Sequence, residues 1–219
     1  MPKRDGVFVQ AESEVAAINM VYGSGGTGVR VMTSSSSPGI SLKQEGISYI
    51  ACAEVPCLIV NVVRGGPGLG NIAPAQSDYF QAVKGGGHGD YKLIVLSPSS
   101  VQEMADFTVL GFDLADKYRT PVMMLSDGYL GQMMEPVALP EATNIKKYDK
   151  PWATIGARGR GQNLISSIHL VPEDMEKHIE HLYKKYAEIE KNELLYEEYQ
   201  CGDAEYVMVS YGITARICK

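Results

Sequence analysis

The chain has 219 residues, 45% of them hydrophobic and 21% charged, with a formal net charge of −6. That length holds one sizeable domain and part of another, and the composition is that of a globular protein. The acidic balance, without any basic tract interleaved with aromatics, argues against a nucleic-acid surface, and no apolar run is long enough to span a membrane. The opening Met-Pro-Lys-Arg-Asp lacks the apolar core of a signal peptide, so the cytoplasm is the expected location.

In chain order, Val7 to Val9 reads as a short strand and Ala11 to about Tyr22 as a helix with Val15, Ile18 and Tyr22 on one face. Val29 to Thr33 reads as a second strand. Ser34 to Gly39 is a loop ending in helix-start chemistry, followed by a helix from Ile40 to Ala53. Cys57 to Val63 reads as an apolar run, as expected of a central parallel strand buried on both faces. A Gly-Pro-rich loop runs from Gly65 to Pro74, a short helix from Ser77 to Val83, and a glycine-rich turn from Lys84 to Asp90. Lys92 to Leu96 is a strand, and the helix after it opens at Ser97-Pro98, where proline is well placed. Pro121 to Ser126 is another strand. The alternation of strand and helix implies right-handed βαβ units in a parallel sheet with helices on both faces.

The character changes near Pro140. Residues 141–171 read as a linker, and Pro172 to about Tyr199 as a long amphipathic helix carrying Met175, Ile179, Leu182, Tyr186 and Ile189. Glu205 to Tyr211 reads as a strand followed by a helix start. The expected organisation is one domain over residues 1–140, the linker, and the beginning of a second α/β domain over residues 172–219.

The four cysteines, Cys52, Cys57, Cys201 and Cys218, form no C-x-x-C pair and have no histidine at metal-ligand spacing. Four free thiols, buried or partly buried, and no metal site are expected, so iron–sulfur chemistry would have to reside on another chain. Gly23-Ser-Gly-Gly-Thr-Gly28 fits G-x-G-x-x-G, but it follows a helix and precedes a strand, the reverse of a dinucleotide fingerprint. It reads as a helix cap and turn, which leaves a nicotinamide-dependent dehydrogenase with nothing else to rest on.

Glu14 stands at a helix start, where a carboxylate serves the helix dipole or acid/base chemistry; Glu12 could equally begin the helix. Arg64 follows a buried strand, where an unpaired charge is costly. It is either a clamp for an anion at the carboxyl rim of the sheet or the partner of Asp78 or Glu45. Ser34 to Ser37, and within it Ser36 and Ser37, offers either an anion nest of backbone amides or a simple helix cap. His88 in its glycine run is either catalytic or an inert turn residue, and Asp127 reads as structural.

These residues sit in runs that resemble the alpha subunit of 2-oxoacid:ferredoxin oxidoreductases. The runs are Gln10-Ala-Glu-Ser-Glu14-Val-Ala-Ala-Ile-Asn19, Thr33 to Gly46, Asn61-Val-Val-Arg64-Gly-Gly-Pro-Gly68, Gln81 to Asp90 and Leu125-Ser-Asp-Gly128. The resemblance covers nearly the whole chain and is strongest to the 2-oxoisovalerate and 2-oxoglutarate members. It implies a thiamine diphosphate fold in which this chain carries the pyrimidine-binding domain. A beta subunit would hold the diphosphate and its magnesium, and other subunits or domains the [4Fe–4S] clusters, making a hetero-oligomer that passes electrons to ferredoxin.

The implied reaction is oxidative decarboxylation of a 2-oxoacid to an acyl-CoA, with coenzyme A as co-substrate; 2-oxoisovalerate is favoured and 2-oxoglutarate second. The family's cofactor glutamate falls on Glu14, which would hydrogen-bond the aminopyrimidine and favour its imino form. The family's substrate arginine falls on Arg64. A family segment with a Tyr-x-x-Thr-Pro-type motif is expected before the first residue, and the C-terminal domain is expected to continue past the last, so the chain reads as a fragment of a larger subunit. The competing expectation is a non-catalytic α/β interaction subunit that keeps the fold without the chemistry.

Overall fold

The computed structural model describes residues 6–139 and 146–219. The domain boundary expected at residue 140 falls outside the described residues. Four parallel strands form the sheet: β1 (Met32–Ser35), β2 (Cys57–Val63), β3 (Ile94–Leu96) and β4 (Pro121–Asp127), in the order β1-β2-β4-β3. The register sets Ser35 beside Asn61 and Val63 beside Asp127, so the carboxyl ends of β1, β2 and β4 share one rim.

The helices are α1 (Glu14–Gly26), α2 (Ser37–Cys52), α3 (Tyr79–Lys84), α4 (Val101–Tyr118), α5 (Gly128–Gln132), α6 (Pro172–Asn192) and α7 (Gly212–Cys218). Alternate strand residues point to opposite faces, and two cores result. Cys57, Ile59, Val63, Met123 and Leu125 pack under Ile18, Ile40, Ile47 and Ile50 of α1 and α2. Leu58, Val122, Ile94 and Leu96 pack under Leu114, Ala115 and Tyr118 of α4. The β1-α2-β2 and β3-α4-β4 crossovers run in opposite senses along the sheet, so a topological switch lies between β2 and β4.

Several boundaries differ from the sequence reading. Ser13 is the N-cap of α1, its hydroxyl accepting from Ala16 N at 3.1 Å, which places Glu14 rather than Glu12 at the first helical position. The helix then continues through Gly23 to Gly26, because Gly25 and Gly26 are buried under neighbouring chain, and the turn comes only at Thr27 and Gly28. Pro98 precedes α4 instead of opening it; Ser100 is the cap, accepting from Glu103 N. Val7 to Val9 is not a strand: all three side chains are exposed and no neighbouring strand pairs with them.

Glu205 to Tyr211 forms no strand either. It is an exposed irregular segment that delivers α7 onto the end of β4, where Gln76 Nε2 donates to Tyr211 O at 2.8 Å and Tyr211 Oη donates back to Gln76 O at 3.2 Å. The described part of 141–171 lies against the sheet domain. Thr154 donates from N and Oγ1 to Gly26 O at 2.9 and 3.0 Å, Ala153 is buried, and Lys150 bonds Asp116 of α4, which Arg30 also holds. α6 docks through Leu182 and Tyr186, with Lys185 on Glu54 and Glu193 on Lys117 and Tyr118. Among the described residues no helix is long and apolar enough to cross a membrane.

α1 and α2 approach closely because position 46 has no side chain. A Cβ there would lie 2.5 Å from Ile18 Cγ2, and Ile18 is fully buried. Gly46→Val is therefore expected to lower the stability of the chain by roughly 1–3 kcal/mol through overpacking. The check is a reduced denaturant midpoint at unchanged slope.

Candidate functional site

The organising feature of the carboxyl rim is a hydrogen-bonded knot at the start of α2. Asn61, fully buried within β2, accepts from Ser37 N at 3.1 Å and donates through Nδ2 to Asp78 Oδ2 at 3.0 Å. The Ser37 hydroxyl donates to the same Asp78 oxygen at 2.7 Å and accepts from Arg64 N at 3.0 Å. One serine, one asparagine and one aspartate thus tie the first turn of α2 to the residue that leaves β2.

The knot also shows where Ser36 and Ser37 sit. Ser36 is the N-cap residue but makes no side-chain capping bond, and Pro38 sits in the first turn without an N–H. The Ser37 amide is taken by Asn61 and the Gly39 amide by Ser36 O at 2.8 Å. Those two amides are thus engaged within the chain, and the Ser37 hydroxyl ties Arg64 to the first turn of α2. Asp127 is structural as expected, its Oδ1 accepting from Tyr129 N and Leu130 N at the start of α5.

Arg64 has neither of its expected acidic partners. Asp78 is committed to the knot and Glu45 to Tyr49. Among the described residues the guanidinium makes one bond, Nη2 to Leu69 O at 3.2 Å, and its buried Nε has no partner. A planar fork with donors to spare at the sheet rim suits a carboxylate taken in two parallel hydrogen bonds.

Glu14 reaches the same rim from α1. Gly39 makes the approach possible: a Cβ at that position would lie 2.1 Å from Ser35 Oγ and 2.9 Å from Glu14 Oε1. The carboxylate therefore lies over the first turn of α2, and among the described residues no hydrogen bond holds it. Glu14 and Arg64 border the segment Ser35–Gly39 from its two sides. His88 does not join them. It is exposed in a turn whose glycines rest on Gln44 and Ser48, about two helical turns along α2 from Ser37.

Lys43 was invisible in the sequence as a site residue. It is almost completely buried, donates from Nζ to Thr33 Oγ1 at 2.8 Å and Ser34 O at 3.2 Å, and lies close enough to Glu14 to feel its charge. Burial lowers its pKa below the ordinary lysine value, and the Glu14 carboxylate opposes that shift. At the topological switch itself, Tyr211 and Gln76 fill the space beside Val63 and Asp127, leaving a cavity of about 10 Å³, room for no more than one water. Glu14 and Arg64 are each half-buried.

The fold, a parallel sheet with helices on both faces, is joined by a family match that covers most of the chain. Residues 1–199 match the family described as pyruvate flavodoxin/ferredoxin oxidoreductase, thiamine diphosphate-binding, and the chain belongs to that family. Ketoisovalerate oxidoreductase subunit VorB of Methanothermobacter thermautotrophicus is 58% identical over 212 residues, covering 97% of this chain and 60% of VorB. The 2-oxoglutarate synthase subunit KorA of Archaeoglobus fulgidus is 38% identical over 226 residues, covering all of this chain and 64% of KorA. Among solved structures, a 2-oxoglutarate:ferredoxin oxidoreductase from Magnetococcus marinus, with 2-oxoglutarate, coenzyme A and succinyl-CoA bound, superposes with a TM-score of 0.71 at 30% identity. That superposition covers 90% of this chain and 39% of the other. The chain therefore spans about 60% of the length of VorB.

The residues present fit the family's cofactor. An aminopyrimidine ring takes a carboxyl partner without competing bonds, and the Glu14 carboxylate has no hydrogen-bond partner among the described residues. Gly39 leaves open the space beside it that a Cβ would fill.

The buried Lys43 gives a prediction that concerns this chain alone. Because its folded-state pKa is lowered, the unfolded chain binds the proton more tightly, and stability rises with pH up to the ordinary value of 10.5. Wild type should gain stability relative to Lys43→Met between pH 7 and about 10. Paired denaturant melts at the two pH values check this; a pH-independent difference would contradict it.

Proposed function

We propose that this chain is the pyrimidine-binding part of a 2-oxoacid:ferredoxin oxidoreductase that converts a 2-oxoacid to its acyl-CoA and reduces ferredoxin. The observation that carries the reading is the presence, at one rim, of a carboxylate without a hydrogen-bond partner among the described residues and a guanidinium with donors to spare. Membership of the thiamine diphosphate-binding family supports it, as does the identity to VorB. That identity exceeds the identity to KorA, so 2-oxoisovalerate is the favoured substrate and 2-oxoglutarate the second.

When bound, thiamine diphosphate supplies the electron sink for the carbon that loses carbon dioxide. Glu14 would hold a proton at the pyrimidine nitrogen and share it as the ring changes tautomer. A carboxyl group can do this when its surroundings limit water access and offer no stronger partner. Lys43, buried beneath it, would keep the carboxylate in place by charge without donating to it. Arg64 would hold the substrate carboxylate, with Ser37 and Asn61 fixing the backbone from which it projects.

Leu69, Ile72 and Phe80 around the Arg64 loop are exposed at 80%, 89% and 70%. Apolar surface of this kind beside a site suits burial by another subunit. We assign the diphosphate and its magnesium to a thiamine diphosphate-binding beta subunit and the [4Fe–4S] clusters to an iron–sulfur subunit. Coenzyme A is then the acyl acceptor, and the assembly works in the cytoplasm as a hetero-oligomer.

In the assembled enzyme, Glu14→Gln should lower turnover by roughly 10²–10⁴-fold while the subunits still co-purify. Unchanged turnover would remove the cofactor role and favour a non-catalytic subunit. Arg64→Ala should raise KM for the 2-oxoacid about 10- to 100-fold, the worth of hydrogen bonds to a charged group, and leave the KM for ferredoxin alone. Steady-state assays with each substrate varied in turn check both; a 2-oxoacid dependence equal to wild type would reject the clamp.

A further inference from the structure

The opposite end of α2 carries a second constellation. Of the chain's four histidines, His169, His178 and His181 gather where the start of α6 crosses the last turn of α2. Cys52, His169 and His178 each bring a ligand atom within 4.8 Å of the other two, and all three residues are half-buried. They come from three separate segments: the C-terminus of α2, the irregular stretch before α6, and α6 itself.

We propose that Cys52, His169 and His178 form a binding site for a divalent transition-metal cation of the zinc class. One thiolate and two imidazoles are the donor set that borderline-soft cations take, and hard oxygen-seeking cations do not. The Nε2 of His178 lies 2.7 Å from the carbonyl oxygen of Cys52. A carbonyl only accepts, so Nε2 carries the ring proton and the lone pair resides on Nδ1. A backbone carbonyl fixing the tautomer in this way is the usual support of a metal-bound imidazole. The His169 ring is stacked on His178 with centroids 4.6 Å apart, which keeps the second imidazole at the site.

Ligand atoms around a tetrahedral zinc ion stand about 3.3–3.7 Å apart, given its bond lengths. Side-chain rotation of about 1 Å closes the cluster to that spacing, and water completes the fourth position. His181 is not among the residues whose ligand atoms converge, and its Nε2 is engaged by Glu54 at 2.9 Å. The Cys52 thiol now donates to Ser167 O at 3.8 Å, and burial and the Glu54 charge push its pKa up. It is therefore not a free thiolate nucleophile. Metal binding releases that proton to solvent as the sulfur–metal bond forms, with no change of oxidation state.

The site is independent of the one that Glu14 and Arg64 border. α2 is 16 residues long, which sets the two ends roughly 24 Å apart. A cation at Cys52 would instead pin α6 and its preceding segment to the sheet domain.

The full chain, purified reduced and without oxygen and stripped with a chelator, is titrated with Co²⁺ and then with Zn²⁺. One equivalent of Co²⁺ should give a thiolate-to-cobalt charge-transfer band with the visible bands of a four-coordinate ion, and one equivalent of Zn²⁺ should abolish both. Cys52→Ser should lose the charge-transfer band. His169→Ala, in an irregular segment where folding is least at risk, should weaken binding at least 10-fold, since even the loss of an outer partner costs about 10- to 100-fold. Cys218→Ser, at an exposed thiol, should bind as wild type does. Absence of the band at stoichiometric cobalt, its persistence in Cys52→Ser, or undiminished affinity in His169→Ala would overturn the proposal.

Discussion

The first turn of α2 is held to the end of β2 by Asn61, and the rest of the rim depends on that attachment. A fully buried amide in a parallel strand is costly unless every polar atom is used. Asn61 uses both ends of its side chain, on Ser37 N and on Asp78. The same Asp78 oxygen takes the Ser37 hydroxyl, whose oxygen in turn receives the Arg64 amide. Networks of this kind fix geometry because a partly broken one leaves buried polar groups unpaired. The direction in which Arg64 leaves the sheet, and the height of Gly39 beneath Glu14, both follow from it.

The knot also explains why two opposite charges coexist at one rim without pairing. Asp78, one of the two acids expected to pair with Arg64, has its Oδ2 taken by Ser37 and Asn61. Lys43 sits below Glu14, and its own donors go to Thr33 and Ser34. The carboxylate and the guanidinium are thus left with capacity for other partners, as a site with an acid/base group and an anion clamp requires. The exposed apolar side chains beside the Arg64 loop agree with the site being shared, the arrangement proposed above.

Legibility in the sequence followed the strength of the burial signal. β2 and β4 were readable almost to the residue, because a strand buried on both faces is a short apolar run bounded by turn residues. α4 was readable from its spacing, and α6 from its start at Pro172, although that helix ends at Asn192 and not near Tyr199. Val7–Val9 and Glu205–Tyr211 have strand-like composition, but a strand exists only with a ladder partner, and neither segment has one here. The glycines at 23 to 26 read as a helix end, yet packing at Gly25 and Gly26 carries α1 through them. Glu14 and Arg64 were found by position at element ends together with the family resemblance. Asn61 was hidden inside an apolar run, and Lys43 inside an amphipathic helix whose polar face is not all solvated. The Cys52–His169–His178 cluster had no signal in sequence spacing at all, since its members are joined only by the docking of α6 on α2.

The central claim is that Glu14 and Arg64 face the reacting molecules from the two sides of the α2 N-terminus. An experimental structure of the assembled complex with thiamine diphosphate and a 2-oxoacid tests it most directly. The account predicts the Glu14 carboxyl within hydrogen-bond distance of a pyrimidine nitrogen and the Arg64 guanidinium on the carboxylate of the 2-oxoacid. A cofactor ring held by another carboxyl group, or a substrate carboxylate bound away from Arg64, would contradict it.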